Sequence, residues 1–437
     1  MEANWGLLGP EFLPNARRTR TLGLGATVRA FNELAVPGLG GVWYGRQLLL
    51  ATLGVAVAEE ARRRGSKVQN IEVTNAIEAL ACWLAFNGNG WSRDSRLRGN
   101  TKLQGKDDFS FRRARQRNFY VTQPMRMATV QALPALGFVA SDSARFNAFR
   151  CSEEGRGFVE KATERNSPYN RSVIDHLTCW AQMKDDRVDT EALRQALSPL
   201  NGFSVETIPL LRERLIQGGN ESSDDKARRS DALAWIEALR TYRPDWLTWQ
   251  QRPKEIAEKH WHDLQAGALF FETREAAIAM LDATEVHIGN QTAGKSCSLK
   301  AKIPQALKAA IEKPIENLKS AANRYLTFGH ADTEAIRFCR ECVDDDPSGM
   351  LRSLVERDGH VLRLIGDEVK PGPAFRGSPP AAEQVGADNE DQETPQSGDI
   401  PLPVGISYRV RNLYLLNLDM HGELDAWLQL ASRESEA

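Results

Sequence analysis

The sequence predicts a mainly α protein, and three observations predict it. Apolar residues recur at helical spacing through the first 90 residues and again from Pro168 to Leu281. Clusters of glycine, proline and asparagine punctuate these segments as helix breakers do. The clearest strand-like patterning is confined to two short pieces around Ser141-Asp142-Ser143.

Taken in order, Thr27 to Ala35 is a short helix closed by Pro37 and the Gly38 to Gly41 cluster. Tyr44 to Arg64 is a long helix. Its apolar run, Leu48 to Ala58, is far too short to cross a bilayer and reads as a buried core helix. Asn70 to Phe86 carries Ile71, Ala76, Ile77, Leu80, Trp83 and Leu84 on a helical period and ends at Asn87-Gly88-Asn89-Gly90. Further on, Ser172 to Met183, Thr190 to Leu197, Val205 to Ile216, Asp225 to Arg240 and Lys254 to Phe271 read as amphipathic helices. Their tryptophans read as packing anchors. Pro371 to Pro403 is rich in Pro, Gly, Ala, Ser and acids, without Lys or Arg after Arg376. It buries too little apolar surface to fold and reads as a linker. Ile406 to Leu430 is apolar again and must dock on something. The implied boundaries are a domain over 1–165, a helical scaffold over 166–370, an acidic linker over 371–403 and a docking segment over 404–437.

A chain of 437 residues and 48.7 kDa has room for two or three domains. With 41% hydrophobic and 26% charged residues it falls in the soluble globular class. Its net charge of -2 provides no global pull toward nucleic acid, so a binding face must be local. Six cysteines scattered over such a length argue for a reducing cytoplasm, not a disulfide scaffold. No signal peptide is read at the start.

The most informative stretch is Val121 to Val159. A helix carrying Met125, Ala128, Thr129, Ala132 and Leu133 on one side ends at Gly137, which tolerates the left-handed conformation. Phe138-Val139 and Arg145 to Cys151 flank a Ser/Asp tip. Ser152 then caps a helix that has Glu153 and Glu154 in its first turn. The order resembles winged helix-turn-helix modules of bacterial DNA-binding proteins. There, a recognition helix is followed by a glycine, a two-stranded wing and a Thr/Ser-x-x-Gly helix start. The resemblance covers about a tenth of the chain. It implies that the helix face with Gln123, Met127, Val130 and Gln131, with Arg126 at its boundary, meets the major groove. Two of those residues are apolar, whereas base readers favour Arg, Lys, Asn and Gln. A protein-docking winged helix therefore remains a second reading.

Just upstream, nine basic residues between Arg93 and Arg117 face three acids, a local charge of +6. Arg112, Arg113, Arg115 and Arg117 are expected to grip phosphates, and Arg145 to add a wing contact. A solvated loop is the alternative.

Gly289 to Ser296 fits the P-loop pattern, with Gly289, Gly294, Lys295 and Ser296 in the key places. That pattern needs a strand before it and a sustained helix after it. Glu285 to Ile288 is a short, polar strand candidate, and Pro304 interrupts the downstream segment. Val361 to Ile365 is a flawed candidate for the strand bearing a second acid. Cys339-x-x-Cys342 lacks the second pair that a structural zinc needs, and it lies in a helical segment. His260 and His262 also read as packing or surface groups. No metal, cofactor or hydrolase motif is read. The expectation is a non-enzymatic, cytoplasmic, duplex-DNA-associated subunit or regulator with protein partners and no membrane. The alternatives are a kleisin-like architectural scaffold and a nucleotide-binding protein.

Overall fold

The computed structural model describes residues 20–219, 222–241, 247–291, 294–300, 303–344, 346–377 and 400–436. It is mainly helical. In chain order the helices are α1 (Gly25–Ala35), α2 (Gly45–Arg63), α3 (Asn70–Gly88), α4 (Asn100–Leu103), α5 (Phe111–Ala114), α6 (Arg126–Thr129), α7 (Ala132–Ala135), α8 (Glu153–Thr163) and α9 (Val173–Ala181). There follow α10 (Glu191–Leu197), α11 (Ile208–Gln217), α12 (Ser223–Thr241), α13 (Glu258–Gly289), α14 (Gln305–Phe328), α15 (Thr333–Glu341), α16 (Pro347–Asp358), α17 (Tyr408–Met420) and α18 (Leu424–Glu436). The strands are β1 (Val139–Ala140), β2 (Arg150–Cys151), β3 (Cys297–Ser298), β4 (Leu362–Ile365) and β5 (Glu368–Pro371). No described helix is long and apolar enough to cross a membrane.

The chain forms two compact units, and they do not match the boundaries expected from sequence. The larger holds residues 32–264 together with the C-terminal helices; the smaller holds the described residues up to Phe31 and from Gln265 to Gly377. The boundaries fall inside α1 and α13.

The larger unit is built around α2, whose apolar run is buried throughout. α3, α8 and α9 pack on it, placing Leu49, Val55, Ile77, Leu80, Phe158 and Trp180 in one core. Burying each large apolar side chain contributes roughly 1.5–3 kcal/mol. The α2–α3 approach is close: a Cβ on Gly54 would fall 2.2 Å from Thr74 Oγ1. The C-terminal segment docks within this unit, where α17 packs on α12 and contributes Val410, Leu413, Leu415, Leu416 and Met420 to the core.

In the smaller unit, α14 packs against α15, and β3, β5 and β4 form an antiparallel sheet in that order. Phe270, Leu318, Tyr325, Phe338, Leu351 and Leu354 are buried. Arg20 is held by Asp282 (2.6 Å), Glu285 (2.9 Å) and Asp358 (3.3 Å). Residues 371–377 do not behave as linker: Gly372 and Ala374 bond back to Val361 and His360, and Glu285 accepts from the Arg376 and Gly377 amides. The remainder of the expected linker, 378–399, lies outside the described residues.

Candidate nucleic-acid interface

The segment from Met125 to Thr163 forms the order that its residues predict. Gly137 stands at φ +74°, with its amide on Pro134 O and the Phe138 amide on Leu133 O; these paired bonds close a helix end through a left-handed residue. β1 and β2 then pair antiparallel, Val139 opposite Cys151 and Ala140 opposite Arg150. Ser152 Oγ accepts from the Gly155 amide (2.9 Å) and donates to Gly137 O (2.6 Å), joining the cap of α8 to the end of α7. Gly155 is required here, because a Cβ would come 2.0 Å from Phe138 O. The hairpin tip, Asp142 to Arg145, is exposed, while Phe146 and Phe149 turn into the core.

The helix before the hairpin differs from expectation. It is two short turns, α6 and α7, with Val130 and Gln131 helical in angle between them. Pro134 has no amide to offer Val130 O, which weakens the ladder there. Two chain segments lean on it: the Gly41 amide donates to Ala128 O (3.0 Å) and the Gly219 amide to Ala135 O (2.9 Å). Of the residues expected to approach bases, Arg126 is turned inward. Its Nε donates to Asn75 Oδ1 (2.5 Å) and its guanidinium lies 5.4 Å over the Phe146 ring. Gln131 is exposed, but its Oε1 accepts from Arg409 (2.8 Å). Gln123 is half-buried and its carbonyl accepts from Arg98. Met127 is the large apolar side chain left facing outward, 47% exposed.

The basic stretch divides by burial. Arg96 and Arg98 are buried, Arg96 pairing with Asp94 and Asp425. Lys106 covers the Phe119 ring and Arg115 pairs with Glu72 (2.5 Å). Arg112, Arg113 and Arg117 are exposed, as is Arg145 in the wing. Arg113 lies 3.8 Å from Asp108, whereas Arg112, Arg117 and Arg145 have no ion pair among the described residues. The aromatic residues within and just after this stretch, Phe109, Phe111, Phe119 and Tyr120, are buried, Phe109 stacking on Trp83 at 4.3 Å.

The first turns of α3 tie these pieces together. Asn70 Nδ2 donates to Phe146 O (3.0 Å) and Phe149 O (2.8 Å), Asn147 bonds Gln69 and the Ile71 amide, and Glu72 holds Arg115. Glu78, one helical stretch further, accepts the Arg126 amide at 2.7 Å. Sequence reasoning missed Asn70 and Glu78. They lie on a face read as helical core, and only the fold reveals what they meet.

The P-loop letters do not have P-loop geometry. Glu285 to Ile288, a strand candidate in the sequence, is the last turn of α13, and Cys297–Ser298 is a strand. The order is helix, loop, strand, the reverse of what cradles a phosphate. Gly289 packs on Gly377, Gly294 has φ +63°, Lys295 is exposed and Ser296 half-buried; Thr292 and Ala293 lie outside the described residues. β4 is antiparallel to β5 and no parallel strand lies beside it among the described residues. Cys339 and Cys342 are buried around the end of α15, where burial pushes the Cys339 thiol up to about 12. Among the described residues no group of three or more His, Cys, Asp or Glu side chains could hold a metal ion. No family model matches the chain, and neither a curated protein nor a solved structure is significantly similar to it.

Proposed function

We propose that the chain binds duplex DNA without catalysing a reaction on it, through the wing and the arginine-dense loop, by gripping phosphates more than by reading bases. One observation carries this reading. Arg112, Arg117 and Arg145 are exposed and unpaired among the described residues, and their segments are fastened to the same first turns of α3. Exposed cations held at fixed spacing neutralise phosphates and release counterions. The inward turn of Arg126 and the engagement of Gln131 by Arg409 leave little for base readout, so sequence preference is expected to be weak.

A salt-titrated gel shift with duplex DNA tests the reading. The variant with Arg112, Arg113, Arg117 and Arg145 all changed to Glu should bind at least tenfold more weakly, with a clearly shallower salt dependence. If that variant retains DNA unchanged but loses a protein partner, the module is a docking scaffold of the winged-helix type instead.

A further inference from the structure

We infer that the turn between α2 and α3 is a second phosphate-gripping element, and that duplex DNA lies across it and the wing together. This rests on the duplex-binding reading and adds residues to which no sequence motif points.

The turn carries four cations in six residues, Arg62, Arg63, Arg64 and Lys67, all exposed. Their local acids are already engaged. Glu60 takes Arg63 and Arg64, and Asp175 takes Arg64 as well. Arg62 makes no ion pair among the described residues: it donates to Val68 O (3.2 Å) and Asn70 Oδ1 (2.8 Å), and the half-buried Glu59, whose carboxylate also accepts the Cys151 amide, is the acid whose field it feels. Lys67 has no hydrogen bond or ion pair among the described residues. Lys67 therefore remains uncompensated on this turn, and Arg62 is only partly offset, by a Glu59 that it shares with Arg150 and Arg156.

Hydrogen bonds tie this turn to the base of the hairpin. The Asn70 side chain that receives Arg62 through its oxygen holds the base of the wing through its nitrogen, on Phe146 O and Phe149 O. Gln69, two residues after Lys67, bonds Asn147 at 3.1 Å. Arg145 and Arg150 immediately flank those residues, so two cation-bearing segments distant in sequence are tied together through one asparagine. Arg150 is occupied by Asp142 at the wing tip (3.2 Å), which leaves Arg145, Arg62 and Lys67 to face a polyanion. A duplex backbone, with phosphates at regular intervals, suits cations arrayed on a rigid turn and a ribbon; it needs no pocket.

The test measures binding of a duplex DNA fragment by the full chain over a salt series. Lys67→Glu should weaken binding several-fold, equally for unrelated duplex sequences. Arg62→Gln with Lys67→Gln should reduce the slope of log K against log salt by about 0.9 for each phosphate no longer neutralised. Lys67 is exposed and makes no bond that the fold uses, so Lys67→Glu reports on binding even if the Arg62 change loosens the wing. Wild-type binding with an unchanged slope and affinity in Lys67→Glu overturns this inference and leaves the duplex reading standing. Absence of any salt-dependent binding by the wild type removes both.

Discussion

Glu78 is fully buried on α3, where it accepts the Arg126 amide through one oxygen while the other finds no hydrogen bond. Burial raises its pKa from an ordinary 4.5 to about 7, opposed by the charges of Arg126 and Arg98. Cys82 and Tyr120, bonded to each other at 3.3 Å, and Tyr44 complete the buried polar group around it. The folded state therefore holds the proton more tightly than the unfolded chain. The resulting stability is full below about pH 4.5 and is lost as pH rises through about 7, on the order of 3 kcal/mol in all. Urea melts between pH 5 and 8 should show this decline in the wild type and a much flatter profile in Glu78→Gln; parallel profiles would refute the assignment. Glu78 was invisible in the sequence because a glutamate in a helix is ordinarily solvated. Here the neighbouring helix end supplies an amide that makes burial tolerable.

Among the elements, the hairpin between Gly137 and Ser152 was the most legible. Gly137, Ser152 and Gly155 act through rules that operate within a few residues: a left-handed helix end, an N-cap and a close backbone approach. Ser152→Ala should cost about 1 kcal/mol through the lost cap. Gly155→Ala should cost roughly 1–3 kcal/mol through collision with Phe138 O, and thermal melts of both variants check the ranking. The helix before the hairpin was less legible, since its interruption depends on Pro134 and on Gly41 and Gly219 from distant segments. The same limit explains Glu285 to Ile288. That short run resembles a strand by composition, but Glu285 is bound by Arg20 and by two amides of residues 376–377, and the helix continues. α14 was not anticipated because Pro304 and Pro314 punctuate it, although a proline at position 314 is accommodated within the 24-residue helix. Because a helix precedes Gly289 to Ser296 and a strand, not a helix, directly follows it, equilibrium binding of labelled ATP or GTP with Mg²⁺ should be undetectable and unaffected by Lys295→Ala. Saturable binding that this variant abolishes would restore a nucleotide site.

At the scale of the whole molecule, the mainly helical class was legible because helical periodicity is repeated over many turns. The division into units was not, because neither unit is continuous in sequence. What read as a terminal docking segment supplies α17, with Val410, Leu415 and Leu416 fully buried in the larger unit's core. A chain ending before Ser407 should consequently lose the cooperative unfolding transition of that unit, as monitored by circular dichroism and limited proteolysis. Retention of a native-like melt would show that α17 is dispensable.

The same arrangement bears on how the protein emerges from the ribosome. The hairpin and its arginines are synthesised well before α17, yet the larger unit's core stays incomplete until α17 has been made. Until then α12 exposes the apolar surface on which α17 packs. A nascent chain in that condition is prone to aggregation and a natural client for chaperones.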